Sequence, residues 1–453
     1  MAIKLSYPGE TIAAVATAPG RAGIGVVRVS GKSLRDMAQR LCGRIPQARF
    51  ATVVTFCDSD ANPIDQGILL YFPAPRSFTG EDVLELQCHG SPVLLQMLLQ
   101  RCLELGARLA EPGEFTRRAY FNDKLDLAQA EALADLIDAA TAQAARSAVR
   151  SLSGDFSRTV HGLVDRLIEI RLAIEATIDF PDEEIETEAL IRWGDRLNRL
   201  RHDLNAVISR ANQGSLLRDG LRVVLAGPPN VGKSSLLNRL AGEERAIVTD
   251  IPGTTRDMLR ETIQIEGIPL HIIDTAGLRE PVDLVEKLGI ERSLREIEQA
   301  DVVVRMADAR TRLEEQDDSI PAHLRKDFPG RQIVVHNKCD LAGIASHCFT
   351  EEGLVHVFLS ALTGEGMDLL RDEFLRIAGW QSHGEDVILA RGRHLQALNA
   401  AANHLDQALV ELQRSELCAE ELRLAQDELS SITGEFTPDD LLGEIFSRFC
   451  IGK

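Results

Sequence analysis

The sequence predicts a multidomain chain of α/β plus α type: a small N-terminal α/β domain, then a discontinuous helical domain that carries a phosphate-loop α/β domain as an insert. Three observations lead there. At 453 residues the chain exceeds what one hydrophobic core ordinarily supports, so two to three domains are expected. Short β-rich runs give way to helical periodicity near residue 124, and that periodicity stops before residue 221 and resumes after residue 386.

The β-rich runs are Ile12 to Thr17, Gly25 to Val29, Thr52 to Phe56, Ile68 to Phe72 and Val83 to Cys88, with one helical run from Pro92 to Leu105. From Lys124 onward, Leu125, Ala128, Ala132, Leu136 and Ala140 recur at helical spacing, as do Leu163, Leu167, Ile170, Ile174 and Ile178. Asn212 to Ser215 reads as a flexible polar stretch, after which Leu221 opens a strand, Gly-rich loop, helix, strand order. A second polar stretch, Gly379 to Asp386, precedes the stripe Leu395, Leu398, Ala402, Leu405, Leu409, Leu412, continued by Leu422, Ala425, Leu429 and Ile432. Insertions are best tolerated at exposed loops, so one interrupted helical domain is the economical reading and two separate helical domains the alternative. The expected limits are 1–119, 120–213 for the first helical part, 214–379 for the insert and 380–453 for the second helical part.

Composition narrows the function. Lys+Arg of 50 against Asp+Glu of 69 gives a net charge of -19, which opposes non-specific attraction to phosphate backbones and confines any nucleic-acid contact to a local surface. The eight cysteines are scattered without a CxxC pair, which argues against zinc and disulfide frameworks. The ending Cys450 to Lys453 has the length of a prenylation box, but its terminal Lys and Gly452 do not suit one. With no apolar leader and no apolar run of membrane-spanning length, a cytoplasmic protein is expected.

The insert carries four nucleotide elements in order. Leu221 to Ala226 runs into Gly227-Pro228-Pro229-Asn230-Val231-Gly232-Lys233-Ser234 and a helical segment from Ser235, which is GxxxxGK[ST] in its strand-loop-helix setting. Backbone N–H groups there cradle phosphate oxygens, Lys233 reaches the β and γ phosphates, and the Ser234 hydroxyl joins Mg2+. Ile268 to Ile273 ends in Asp274-Thr275-Ala276-Gly277, whose carboxylate can hold Mg2+ through water and whose Gly lets an N–H approach the γ phosphate. Asn337-Lys338-Cys339-Asp340 follows an apolar strand; the Asp340 carboxylate can accept from guanine N1–H and the exocyclic amine, a donor pair adenine lacks, so GTP is the expected ligand. Ser360-Ala361-Leu362 fits the last guanine-contacting loop. The position after Gly277 is Leu278, which cannot orient water, so a catalytic group must come from elsewhere: Arg279, Glu280, Asp283 and Glu286 are candidates, and by sequence alone each reads as a solvated surface charge before it reads as a catalytic group.

The stretches TIAAVATAPGRAGIGVVRVSG, RSFTGEDVLELQCHG, EPGEFTRRAYFNDKLDLAQAEALADLIDA, AIVTDIPGTTRD, DTAGLRE and the terminal FCIGK resemble the MnmE (TrmE) family of tRNA modification GTPases over essentially the full chain. The resemblance implies an N-terminal domain that binds a reduced folate (formyl- or methylene-tetrahydrofolate) and forms a homodimer, and a Ras-like G domain as the insert. It implies a partner, the FAD protein MnmG (GidA), and tRNA whose wobble uridine receives a carboxymethylaminomethyl-type group through GTP hydrolysis. It implies K+ held by the Asn230 side chain and by the carbonyls of Thr249, Ile251 and Thr254, with Thr255 joining Ser234 on Mg2+. Asp250, Pro252 and Gly253 complete that loop among the GTP-binding residues. The resemblance assigns Glu286 to water orientation, Arg28, Glu85, Lys124 and Lys453 to folate, and Cys450 to the modification chemistry. From the residues alone, Arg28 and Lys124 read as basic residues near loops and first as salt-bridge partners, and Cys450 as a small buried hydrophobe. A ribosome-assembly GTPase would share the four nucleotide elements but should add an RNA-binding module such as KH, and a folate enzyme with a vestigial G domain conflicts with four intact motifs.

Overall fold

The computed structural model describes residues 9–179, 187–243, 260–274, 300–311, 331–380, 387–434, 445–446, 449 and 452. Its helices and sheets make a multidomain α/β plus α protein. The chain divides into two compact units, one of Met1–Ala134, Ser151–Leu200 and Asn403–Lys453, the other of Asp135–Arg150 and Arg201–Ala402.

In the first unit β1 (Ile12–Val15), β2 (Ala22–Gly31), β3 (Thr52–Cys57), β4 (Pro63–Phe72), β5 (Asp82–Gly90) and β6 (Arg108–Leu109) form a sheet in the order β3-β4-β5-β2-β1-β6. Its pairs are antiparallel except β1 with β6. Alternation along β2 and β5 turns Val27, Val29, Leu84 and Leu86 toward the buried core that helices Arg35–Cys42 and Pro92–Glu104 complete with Ala38, Leu41, Leu95 and Leu98. Arg28 and Glu85 consequently point to the opposite face, in register across the two strands. The helical part of this unit joins segments distant in sequence: helix Asp155–Asp179 packs along helix Ser415–Thr433, each burying its predicted stripe, Leu163, Leu167, Ile170 and Ile174 against Leu422, Ala425, Leu429 and Ile432.

A buried ion network ties the sheet to helix Glu114–Phe121. Arg118, 2% exposed, donates to Glu114 at 2.9 Å and to Glu81 at 2.8 Å. Glu114 also accepts from Arg108 at 2.7 Å and from the Glu111 N–H at 2.9 Å, and Ser30 donates to Glu81 at 2.9 Å.

The second unit holds β7 (Leu221–Ala226), β8 (Arg260–Ile265), β9 (Ile268–Asp274), β10 (Val302–Asp308), β11 (Arg331–Asn337), β12 (His347–Glu351) and β13 (Leu354–Phe358) in the order β12-β13-β11-β10-β7-β9-β8. The five inner strands are parallel and read as near-continuous apolar runs, as a sheet covered on both faces requires.

Two expectations are corrected. The stretch Asn212 to Ser215 is no flexible linker: helix Thr187–Asp219 runs through it unbroken. Gly214 serves close approach, since a Cβ there would lie 1.7 Å from the Ile388 carbonyl oxygen, and Gln213 donates to the Gly379 carbonyl at 2.7 Å. Beside them Asp135 accepts from Arg391 at 2.7 Å and from Arg218 at 3.3 Å, joining the segments that lead into and out of the nucleotide sheet. In helix Gly392–Val410 the buried stripe is Leu398, Ala401, Leu405 and Ala408 rather than one through Ala402 and Leu409. Leu398 and Leu405 face inward with the small Ala401 and Ala408, while Leu395, Ala402 and Leu409 are only partly buried.

Burial alone would raise the Glu114 carboxyl, but its bonds from Arg108, the Glu111 N–H and Arg118 together bring it down to about 2. A depressed carboxyl stabilises the fold above its unfolded-state value and loses that contribution as pH falls through the folded value. Glu114→Gln is therefore expected to cost about 3 kcal/mol at neutral pH, with the gap to wild type closing between about pH 4 and pH 2. Chemical denaturation across that range checks it.

Candidate nucleotide-binding site

The carboxyl ends of β7, β9, β10, β11 and β13 all lie along one edge of the second sheet, where open parallel sheets bind their ligands. Register places Asp274 beside Leu225 and Asp308 beside Asn337, so four of the sequence elements arrive at the same edge by topology alone.

The loop after β7 has a fixed path. Asn230 takes a left-handed φ of 62°, and Gly232 a φ of 106° where an added Cβ would fall 2.2 Å from Asn337 Nδ2. Only glycine allows that approach. Lys233 opens helix Lys233–Glu243 and turns its ammonium back to the Gly227 carbonyl at 2.6 Å and the Pro228 carbonyl at 3.1 Å, holding the charge across the loop. Pro228 and Pro229 supply no N–H, but the residues from Asn230 to Ser235 retain theirs, and Ser234 and Ser235 are exposed at the helix start.

The base-side loops are braced against this one. Asn337, 3% exposed, donates through Nδ2 to the Val231 carbonyl at 2.8 Å and accepts through Oδ1 from the Ala361 N–H at 2.9 Å. Lys338, itself at a φ of 69°, donates to the Asn230 carbonyl at 2.8 Å and to Asp308 at 2.9 Å. Asp340 stands exposed in the short helix Cys339–Ala342. Ser360 is fully buried, with its hydroxyl accepting from the Thr363 N–H at 3.2 Å, while Leu362 is exposed.

Behind this edge His336 and His356 share a hydrogen bond at 3.0 Å, and His336 stacks on Phe358. Burial, then the neighbouring His356 and His347, push His336 down to about 4, so it is neutral at physiological pH. The buried Cys339 thiol, pushed up by burial, donates to the His336 carbonyl and fills space.

The structure thus brings together Asn230, Val231, Gly232, Lys233, Ser234 and Ser235 with Asn337, Lys338, Asp340, Ser360, Ala361 and Leu362, and sets the backbone of Asp274 at the end of the neighbouring strand. Thr249, Asp250, Ile251, Pro252, Gly253, Thr254, Thr255, Thr275, Ala276, Gly277 and the candidates Leu278, Arg279, Glu280, Asp283 and Glu286 lie outside the described residues, as do Cys450 and Lys453. Two contributors escaped the sequence reading. Arg239, two turns into the helix, donates to the carbonyls of Ala361 and Leu362, and Asp308 holds Lys338. Neither stands in a motif, and partners 122 and 30 residues away leave no local signal.

In the first unit Arg28 and Glu85 form the salt bridge that the residues alone allowed, at 2.9 Å and about a quarter exposed. The Arg28 guanidinium lies 5.7 Å from the Phe78 ring centre and 5.9 Å from that of Phe115, within cation–π range. Lys124 reaches the same loop as Phe78, since a Cβ on Gly80 would sit 3.3 Å from its Cε.

Comparison with known proteins places both units. A family model for the MnmE helical domain matches residues 127–450, and one for the GTP-binding protein TrmE N-terminus matches residues 11–124. The tRNA modification GTPase MnmE of Azoarcus sp. (strain BH72) is 63% identical over 455 residues, covering 100% of each chain. The proteins of the same description from Aromatoleum aromaticum and Dechloromonas aromatica are each 60% identical, covering 98% of this chain and 98% and 99% of theirs.

Asp340→Asn removes one acceptor and adds a donor. It is expected to weaken GTP binding by at least about 100-fold and to favour xanthosine triphosphate, because a site built around a hydrogen-bonding pair rejects a ligand that mismatches it. Fluorescence titration with both nucleotides measures this; unchanged GTP affinity would remove Asp340 from the site.

Proposed function

Since this chain belongs to the MnmE family of tRNA modification GTPases and is a GTP-hydrolysing enzyme, we propose that it couples GTP hydrolysis to modification of the wobble uridine of certain tRNAs. In this reading it works as a cytoplasmic homodimer with the FAD protein MnmG, and a reduced folate supplies the one-carbon unit of a carboxymethylaminomethyl-type group. The observation that carries the reading is the pairing, in one chain, of a guanine-nucleotide cleft with a unit in which Arg28 and Glu85 meet beside two aromatic rings.

The nucleotide is bound at its base by Asp340 and the 360–362 loop, and at its phosphates by the N–H groups from Asn230 to Ser235 and the Lys233 ammonium. Ser234 and Thr255 would hold Mg2+, which neutralises charge on the β and γ phosphate oxygens. For K+, the Asn230 carbonyl is already taken by Lys338, whereas its exposed carboxamide makes no hydrogen bond with the described residues, leaving a hard oxygen suited to a cation. That amide and the carbonyls of Thr249, Ile251 and Thr254 would form the set, and the ion would supply positive charge beside the transferring phosphoryl group. Glu286 orients the attacking water in place of Leu278.

For the folate, Glu85 binds Arg28 through Oε1 alone, so Oε2 is an acceptor for a pterin N–H, with Phe78 and Phe115 as apolar walls. Placing Lys453 there is supported by Gly452, whose added Cβ would lie 2.3 Å from the Val15 carbonyl of β1, next to the strand that carries Arg28. Cys450 belongs to the same segment.

Two outcomes follow. Hydrolysis should run at least about tenfold faster in KCl than in NaCl, because the smaller ion fits the same oxygens poorly, and Asn230→Ala should erase the difference; equal rates in both salts for the wild type would discard the cation reading. In a strain lacking this gene, the wild-type chain should restore the modified wobble uridine in tRNA nucleoside mass spectra, while Arg28→Ala should leave its level reduced by about tenfold or more, the penalty for stripping a partly buried ion-pair partner from a binding site. Full restoration by that variant would sink the folate assignment, and unaltered nucleosides in the deletion strain would favour ribosome assembly.

A further inference from the structure

Two consecutive residues, Asn337 and Lys338, hold two consecutive carbonyls of the phosphate loop, those of Val231 and Asn230. The two holders differ in how they are themselves held. Asn337 is a short side chain, buried, with both amide atoms engaged by backbone. Lys338 reaches the loop on a flexible four-carbon stem whose rotamer freedom must be removed by something else. The group that does so is Asp308, 14% exposed at the end of β10, whose Oδ2 takes the Lys338 ammonium at 2.9 Å.

Asp308 is in turn fixed from the other side. Arg310 donates to it through Nε at 2.9 Å, through Nη2 at 2.7 Å and through its own N–H at 3.1 Å. The Ala309 N–H donates to the Asn337 carbonyl at 2.8 Å, so the turn that presents Asp308 is attached to the strand that presents Lys338. Arg310 first, and Lys338 with it, hold the Asp308 carboxyl far below the ordinary range.

We propose that Asp308 is a positioning residue for nucleotide turnover, anchoring the Lys338 ammonium so that it fixes the Asn230 end of the phosphate loop. In this proposal it acts on the nucleotide through Lys338. The strand between phosphate strand and base strand thereby contributes to both subsites: β10 separates β7 from β11, and Asp308 closes the gap that the sheet leaves between their loops.

The test is a double-mutant cycle in the full-length chain, read by steady-state hydrolysis and by release of a fluorescent GDP analogue. Asp308→Ala is expected to raise KM for GTP about tenfold and speed analogue release by a similar factor, with a smaller change in kcat, as loss of ground-state binding requires. In the Lys338→Ala background the same change should add less than about twofold, because residues that act through one interaction are not additive. Asp308→Asn preserves shape and the acceptor for the Arg310 N–H but discards the charge, so it should shift KM in the same direction by about threefold, and it carries the test if the alanine variant fails to fold. KM within twofold of wild type for the asparagine variant, or full additivity with Lys338→Ala, would overturn the proposal and leave Asp308 a strand-end cap.

Discussion

One buried carboxamide sets the distance between the two halves of the nucleotide cleft. The phosphate loop leaves β7 and the last base loop leaves β13, with β10 and β11 between them, so nothing in the sheet itself fixes how those loops meet. Asn337 does so by donating to Val231 and accepting from Ala361. Among side chains of this length only an amide offers a donor and an acceptor on one rigid plane; aspartate would lack the donor and leucine both. Because Val231, Asn337 and Ala361 are all buried, losing either bond would strand a buried backbone group, which is costlier than the bond's own net worth. Gly232 follows from this, since the amide nitrogen occupies the place of its missing Cβ. Arg239 braces the Ala361 loop from below, and the neutral His336–His356 pair keeps the backing of β11 and β13 free of unpaired charge.

What the sequence made legible divides along the same line. The phosphate loop, Asp340 and the strands leading to them could be located because phosphate and guanine recognition impose local backbone and side-chain demands that must be written contiguously. Five of the six N-terminal strands were visible as β-rich runs; the sixth, Arg108–Leu109, is two residues long and exists only because β1 offers it a partner. Helix Glu114–Phe121 was hidden because its inward face mixes charged with apolar residues: Glu114 and Arg118 satisfy one another inside beside the buried Phe115 and Ala119, and a hydrophobic period cannot register that. The misread stretch at Asn212 to Ser215 has the same origin. Its polar composition reports solvent on one side, while Gly214 marks the close passage of a segment 174 residues further on, centred at Ile388.

The ion network of the first unit raises the question of what a buried charge cluster contributes there. Desolvating Arg118, Glu114 and Glu81 is expensive, and packed apolar residues of similar volume can match or exceed such a cluster in stability. No apolar group, however, could hold two carboxylates on different elements at once. Glu81 lies in the loop that carries Phe78, and Glu114 precedes Phe115; Arg118 binds both acids, and Phe78 and Phe115 are the two rings beside Arg28. Ser30, bonded to both Thr79 and Glu81, lies two residues along the same strand face as Arg28. The cluster therefore fixes the separation of the rings around the guanidinium, something hydrophobic filling would leave adjustable. The two units thus use the same device at different scales: a buried polar side chain with two partners, placed where two loops must keep a set distance for a third group to bind between them.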